Sequence, residues 1–382
     1  MSMKNIKFKI NDLYFAVLFI FIGTLYAFYE YRLFTEVIYM IVFAFYFISK
    51  RKRLTFYSLW SLAVILVFFI TSFWSINQST SLTMTRKMVE IAIISNLLIG
   101  FIDDKQKADK FYKILVFSGF LLIIRIFVSV PPSEWFAGRF GNVLINANRV
   151  GLFLAISAIS SFYIARVKRE KRYYVFLLIL LVFVMLTGSR KATVMALGGI
   201  VFLIYLNADN ITKKVTVVFY GTILIFMGYY LLLNVPILYN SVGIRLENMV
   251  STFLGSGVVD NSTRVRRNMI EVGLSLIKEK PLMGYGADTY RYISGYGMYS
   301  HNNFIELLVG IGVIGTLVYY FNYFYIILKL KNKRKFKFTN AALAFIVMLL
   351  SMEYGLVSYY DELYHMLIAF AYATTRFKIT SK

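Results

Sequence analysis

The chain has 382 residues, 59% hydrophobic and 18% aromatic, with a mean hydropathy of +0.66, a composition that excludes an ordinary soluble domain. Its net charge of +23 sits in short connectors between apolar runs, which suits the cytoplasmic loops of a membrane protein, so no nucleic-acid partner is expected. The absence of cysteine excludes disulfides, thiol nucleophiles and thiolate metal sites.

Apolar runs of roughly 17–25 residues, the length that crosses about 30 Å of hydrocarbon as a helix, recur along most of the chain. They lack the alternation of barrel strands, so the expected class is all-α, a polytopic helical membrane protein with about twelve spans. The spans are placed near 13–28, 33–49, 54–73, 86–101, 111–130, 148–166, 172–187, 191–207, 214–233, 302–328, 338–357 and 361–377. Residues 1–382 are read as a single integral membrane domain, and residues 234–301 as one large external loop within it. The first run follows Lys4, Lys7 and Lys9 without a convincing cleavage site, and is read as a retained helix.

The connectors alternate in charge. Counting the N-terminus, the links after the even-numbered spans and the tail, one side collects twenty-seven of the 42 basic residues, twenty Lys and seven Arg. The positive-inside rule places these, and both termini, in the cytoplasm. The external set is ten Arg and only four Lys. Topology needs only positive charge, whereas Arg is favoured where a planar fork grips phosphate or carboxylate. The plainer alternative is snorkelling of these arginines to lipid headgroups.

Even-numbered spans then begin outside, and each helix start is an anion site by its free N–H groups and dipole. Three starts carry notable polar residues: Arg139 and Asn146-Ala147-Asn148-Arg149 before the sixth span, Thr187-Gly188-Ser189-Arg190-Lys191 before the eighth, and Ser300-His301-Asn302-Asn303 before the tenth. Each alone reads as a helix cap. Together they suggest an external pocket for an anionic ligand.

Within the external loop, residues 264–280 have a helical period. Val265, Met269, Val272 and Leu276 form one stripe and Arg266, Ile270, Gly273 and Ile277 the next, while Arg264, Arg267, Glu271 and Lys278 lie opposite. An amphipathic helix of this kind lies on the membrane or caps the bundle. Arg266, among apolar neighbours, is expected to face inward and to need an anionic partner, and ranks above Arg264 and Arg267 as a ligand residue. Pro281 stops the helix and Gly284-Tyr285-Gly286 makes the turn after it.

His301, next to Asn302 and one turn before Glu306, has an unperturbed pKa that leaves a base-competent fraction at neutral pH. Glu306, a carboxylate just inside an apolar run, is expected to have a partner. His365 stands without companions and is read as structural. No phosphate-binding Gly-x-x-x-x-Gly-Lys-Ser/Thr loop, His-Glu-x-x-His or Asp-x-Asp motif is present, which argues against an ATP motor, a zinc hydrolase and a divalent-metal sugar-nucleotide site.

The order of these motifs resembles the O-antigen polymerase and ligase (Wzy/WaaL-like) family. Leu186-Thr187-Gly188-Ser189-Arg190-Lys191-Ala192 is similar to the family's Thr-Gly-Ser-Arg-x-Ala turn. Arg266 through Gly286 is similar to its Arg-then-Pro-x-x-Gly-x-Gly segment, and His301-Asn302 with Gly310-Ile311-Gly312 to its His-Asn helix start. Arg139 with Asn146-Ala147-Asn148 is a looser match, and Ile270 stands where many members carry Trp.

The resemblance implies a cofactor-free, metal-independent glycosyltransferase of the bacterial cytoplasmic membrane with an extracytoplasmic site. Its donor and acceptor are undecaprenyl-diphosphate-linked oligosaccharides, with membrane lipid, chain-length regulator and flippase proteins as further partners. It gives the diphosphate to Arg190 and Arg266, and acceptor activation to His301. Our reading adds Glu306 as a catalytic candidate, with Arg139, Arg264, Arg267, Asn148 and Asn302 in weaker binding roles. A repeat-unit polymerase for a capsule or O-antigen is the leading expectation, a ligase of finished glycan the first alternative, and a polysaccharide or lipid transporter the second.

Overall fold

The computed structural model describes residues 3–28, 30–48, 54–134, 140, 146–235, 239, 243, 247, 261–333 and 336–377. Among these the chain is helical, with no β-strand. The helices are α1 (Met3–Ala27), α2 (Arg32–Ile48), α3 (Phe56–Thr71), α4 (Gln78–Phe101), α5 (Lys105–Ser129), α6 (Ala147–Val167), α7 (Arg172–Leu186), α8 (Arg190–Leu206), α9 (Ile211–Asn234), α10 (Asn261–Glu279), α11 (Tyr290–Ile293), α12 (Asn303–Lys331), α13 (Lys337–Met352) and α14 (Glu362–Thr375).

Among the described residues, six helical segments are long and apolar enough to cross a membrane: Phe56–Trp74, Lys105–Ser129, Ala147–Val167, Ile211–Tyr230, Asn303–Lys331 and Lys337–Gly355. Three shorter apolar segments, Asp12–Ala27, Leu33–Ile48 and Arg172–Leu186, accompany them. The expected spans 86–101, 191–207 and 361–377 correspond to α4, whose first turns are polar, and to the short helices α8 and α14 of 17 and 14 residues.

Local capping sets many helix starts. Thr55 and Ser58 form a reciprocal capping box on α3. Asp104, Ser189, Asn302 and Asp361 accept first-turn backbone N–H groups of α5, α8, α12 and α14.

The chain divides into two compact units, residues 1–48, 104–255 and 334–345, and residues 49–103, 256–333 and 346–382. In the first, α6 is almost wholly buried and packs against α5, α7 and α8. Ser157 of α6 donates to Leu115 O of α5 at 2.8 Å where Gly119 leaves no room for a side chain. Buried Asp109 accepts from Tyr163 at 2.9 Å and pairs with Lys168 at 2.5 Å.

In the second unit, α12 packs on α3 and α10, and α14 on α4. Glu353, fully buried, accepts from Tyr320 at 2.6 Å, Tyr323 at 2.8 Å and Ser358 at 3.0 Å, and so joins α12 to the segment that follows α13. Lys87 of α4 bonds Glu362 at the start of α14.

Helix α12 is broken at Gly312, which has φ +67° and ψ −178°, a region that essentially only glycine enters. The break is filled by the turn 281–286. Val313 and Ile314 donate to Pro281 O and Leu282 O at 2.8 and 3.4 Å instead of to the helix carbonyls of Val309 and Gly310. Those two carbonyls accept from Tyr285 N and Gly286 N, both at 2.8 Å. Two helical bonds are exchanged for four bonds to the turn, so the break leaves no backbone group of the pair unsatisfied.

A Cβ at Gly312 would lie 2.2 Å from Leu282 O. Gly312→Ala is therefore expected to cost ~3 kcal/mol or more, from backbone strain together with the clash. Gly295→Ala, at φ +77° in open space, carries only the ~1–2 kcal/mol of a left-handed alanine. Thermal unfolding of the detergent-solubilised chain measures both, and equal costs would contradict the packing of the turn into the break.

Candidate functional site

In the second unit, His301 sits immediately before the cap of α12. Asn302 accepts from Phe304 N and Ile305 N at 3.0 and 3.1 Å, so its side chain closes the helix start. Ser300 bridges around the histidine: its hydroxyl donates to Asn302 O at 2.8 Å and its N–H donates to Glu306 Oε2 at 2.8 Å. His301 itself has φ +58°, a left-handed backbone uncommon for a non-glycine residue. Its half-buried ring lies 4.4 Å from that of Tyr299. Backbone bonds on either side therefore fix the main chain of the one residue between them.

Asn303 anchors the same helix start from the other side. Its side-chain carbonyl accepts from Ser358 N and Tyr359 N at 2.9 and 3.0 Å, and its amide donates to Tyr320 OH at 3.0 Å. The His301 turn is thereby tied to the Glu353 hub through Tyr320.

Glu306 is 2% exposed, and its second oxygen, Oε1, has no hydrogen-bond partner among the described residues. Beside it lies a pair that the sequence reading did not single out. Asp288, 5% exposed and at φ +59°, accepts from Arg291 Nη2 at 2.7 Å. Burial pushes the Asp288 carboxyl above its ordinary range, and Arg291 pulls it back. Tyr359 and Tyr360 lie in the field of Asp288, Glu306 and Arg291; burial raises both phenols, followed by Asp288 and Glu306 for Tyr359 and by Tyr299 and then those carboxyl groups for Tyr360. An Asp in a loop and an Arg in the single-turn helix α11 three residues on carry no periodic signal, and the Tyr pair lies about seventy residues away, so only the fold assembles this group.

Helix α10 spans Asn261–Glu279 and packs on α12 through Met269 and Gly273. A Cβ at Gly273 would lie 2.3 Å from Ile305 Cγ2, so the two helices meet there at backbone distance. Met269, Tyr285, Tyr290, Ile305 and Val309 form the apolar cluster beneath. Arg266 is half-buried, with no ion-pair partner among the described residues, while Arg264 and Arg267 are exposed. Arg267 pairs with Glu271 at 3.2 Å on the solvent face.

In the first unit, Arg190 is the first residue of α8, after Ser189, whose hydroxyl accepts from Ala192 N at 3.4 Å. Gly188 turns at φ +59° and Thr187 donates to Val184 O at 2.6 Å. The start of α6 packs against this turn, because Gly151 has Thr187 Oγ1, Ala192 Cβ and Ser189 Cβ all within about 3 Å of a Cβ position. Asn148 is one of α6's first residues, its N–H bound to Asn146 Oδ1 at 2.8 Å. Next to it the Arg149 guanidinium stands 5.1 Å from the Tyr26 ring, which stacks on Phe153 at 4.2 Å. Asn148, Arg149 and Arg190 thus belong to one end of this unit. Arg139 lies outside the described residues. His365 is buried in the second unit, with Nε2 at 2.7 Å from Tyr359 O.

Removing the Glu306 carboxylate strands the buried Ser300 N–H, so Glu306→Ala is expected to destabilise the chain by ~2 kcal/mol. Glu306→Gln keeps an acceptor oxygen and is expected to cost under about half of that. Thermal melts of the two purified variants test the point, and equal losses would remove Glu306 from the bridge around His301.

No curated protein matches the chain. Residues 175–320 match the family model Wzy_C, described as O-antigen ligase. The matched stretch contains Arg190, Arg264, Arg266, Arg267, Asp288, Arg291, His301 and Glu306, along with the Pro281–Gly286 turn and the Gly312 break. The match over residues 175–320 supports a relationship of the chain to the Wzy/WaaL-like membrane proteins.

Proposed function

We propose that the protein is a polysaccharide repeat-unit polymerase acting at the outer face of the bacterial cytoplasmic membrane. A hydroxyl of one undecaprenyl-diphosphate-linked unit attacks the anomeric carbon of the growing chain. The carbon–oxygen bond to the lipid diphosphate breaks, and the diphosphate leaves with its electron pair. His301 takes the hydroxyl proton as general base. Arg190 and Arg266 bind the phosphates and balance the charge that develops on the leaving group. Arg139, Arg264, Arg267, Asn148 and Asn302 keep weaker binding roles, and no metal or cofactor takes part. Capsule or O-antigen assembly is the process that uses such a product.

The observation that carries this reading is the held His301 turn within the matched segment: Glu306 and Asn302 bind on either side of it through Ser300 and the start of α12. A base needs a fixed position relative to the hydroxyl it deprotonates, and this framework supplies one. Charge type supports the phosphate roles, because Arg presents a planar fork that phosphate accepts bidentately. A transporter reading has less to stand on. Arg125, a basic residue within a predicted span, pairs with Glu30 at 3.4 Å, and Glu90 pairs with Arg86 at 3.1 Å.

His301→Ala and Arg266→Ala, expressed at normal level in a cell lacking the native copy, are each expected to lower polymer formation by about 100-fold or more. The measurement is the length distribution of the glycan. Ordinary long chains from either variant would overturn the assignment. The ligase reading, which the family match accommodates equally, is separated by what accumulates without the protein: single lipid-linked units for a polymerase, full-length lipid-linked chains for a ligase.

The same reading places both termini in the cytoplasm. The cysteine-free chain allows single-cysteine labelling. With an impermeant maleimide on spheroplasts, Ser294→Cys is expected to label at once and Ala208→Cys only after lysis. The reverse order would invert the topology and remove the extracytoplasmic site.

A further inference from the structure

A groove of about 390 Å³ runs along the first unit, lined by Phe15 and Phe19 of α1 and by Lys110, Lys113, Ile114 and Phe117 of α5. Its lining is sorted by chemistry. Phe15, Phe19, Ile114 and Phe117 make the wall, and the two ammonium groups stand at one end, a single helical turn apart. From Lys110 to Phe117 the wall rises ~10 Å along α5 at 1.5 Å per residue. That length takes a glycerol backbone and the first part of an acyl chain. Lys110 also stands 5.6 Å from the Phe15 ring, which joins the charged end to the apolar wall.

At the charged end, basic side chains outnumber acidic ones. Residues 104–113 and 166–172 together with Asp12 hold nine basic and four acidic side chains. Lys113 is bound to Glu170 at 2.8 Å, but Glu170 also takes Arg172 at 3.1 Å, so one carboxylate serves two cations. Lys110 is bound to Asp12 at 2.8 Å, with both side chains nearly half exposed. Asp109 is committed to Lys168 and Tyr163 inside the bundle. The surplus positive charge at the mouth of an acyl-sized apolar groove asks for an anion with a hydrocarbon tail.

We propose that this groove binds an anionic phospholipid of the leaflet that the lysine-rich helix ends face. Its phosphate sits between Lys110 and Lys113, and an acyl chain lies on Phe15, Phe19, Ile114 and Phe117. The site is separate from the residues assigned to the glycan reaction, and its occupant is a structural or regulatory lipid rather than the substrate.

The test is native mass spectrometry of the purified full chain in detergent, titrated with phosphatidylglycerol and with phosphatidylcholine of identical acyl chains. The expected preference of the wild-type chain for phosphatidylglycerol is about 25-fold. That is about fivefold per lysine, or ~1 kcal/mol for each basic group at an anionic surface. Lys110→Gln/Lys113→Gln should bring the two lipids to near parity. Lys105→Gln/Lys107→Gln removes equal charge outside the groove and should keep the preference. If the first double variant fails to fold, Lys110→Gln alone should lose about fivefold. Equal binding of the two lipids by wild type, a preference that survives loss of Lys110, or an equal drop in the Lys105/Lys107 control would each overturn the site.

Discussion

The exchange of backbone hydrogen bonds between the turn 281–286 and the break in α12 is the constraint on which the rest of the second unit depends. A helix that crosses hydrocarbon cannot leave peptide groups unpaired, since nothing in the lipid replaces them. Here Val313 and Ile314 give their N–H groups to Pro281 and Leu282, and Val309 and Gly310 receive Tyr285 and Gly286. The loop and the helix become one hydrogen-bonded object. Everything around the break inherits its position from this joint: α10 before the turn, Asp288 and Arg291 after it, and His301 about three turns before the break.

From that joint outward, the arrangement becomes progressively more polar. Apolar contacts of Met269, Tyr285, Tyr290, Ile305 and Val309 pack α10 onto α12. Beside them lie the buried carboxyl groups of Asp288 and Glu306, with the half-buried Arg291 paired to Asp288. The ordering follows the cost of burial. Apolar groups gain by leaving water, whereas charged groups remain inside only where partners meet them. Glu306 keeps one oxygen without a partner among the described residues, and this places an unmet acceptor next to the framework that holds His301.

Much of this was legible in the sequence wherever the signal is local. The stripe of Val265, Met269, Val272 and Leu276 announced α10, because a 3.6-residue period shows in any short window. Ser189 announced the start of α8, because capping reaches only two or three residues, whereas the caps of α6 and α12 are Asn146 and Asn302 rather than the expected Asn148 and Ser300. The break at Gly312 was not legible as a break. Gly310 and Gly312 sit in an apolar run that continues the helical pattern, and the bonds that replace the helix come from residues 24 or 32 positions earlier. Asp288 and Arg291 were missed for the same reason. Of the expected spans, α8 and α14 are helices of only 17 and 14 residues and α4 begins with polar turns, so length and hydropathy together do not mark these three as crossing.

The joint between turn and break is made of main-chain atoms alone, so it reads geometry and ignores most side chains. Leu282 and Met283 are 59% and 48% exposed even though their backbone is held. The positions that matter are the glycines that let two backbones meet, Gly284 and Gly312, where a Cβ would fall on a carbonyl at 2.5 and 2.2 Å. A loop fastened in this way is free to exchange the chemical groups it displays while the histidine stays in place. The fastening and the recognition surface are in that sense written in separate alphabets, one of backbone and one of side chains, and each tolerates change in the other.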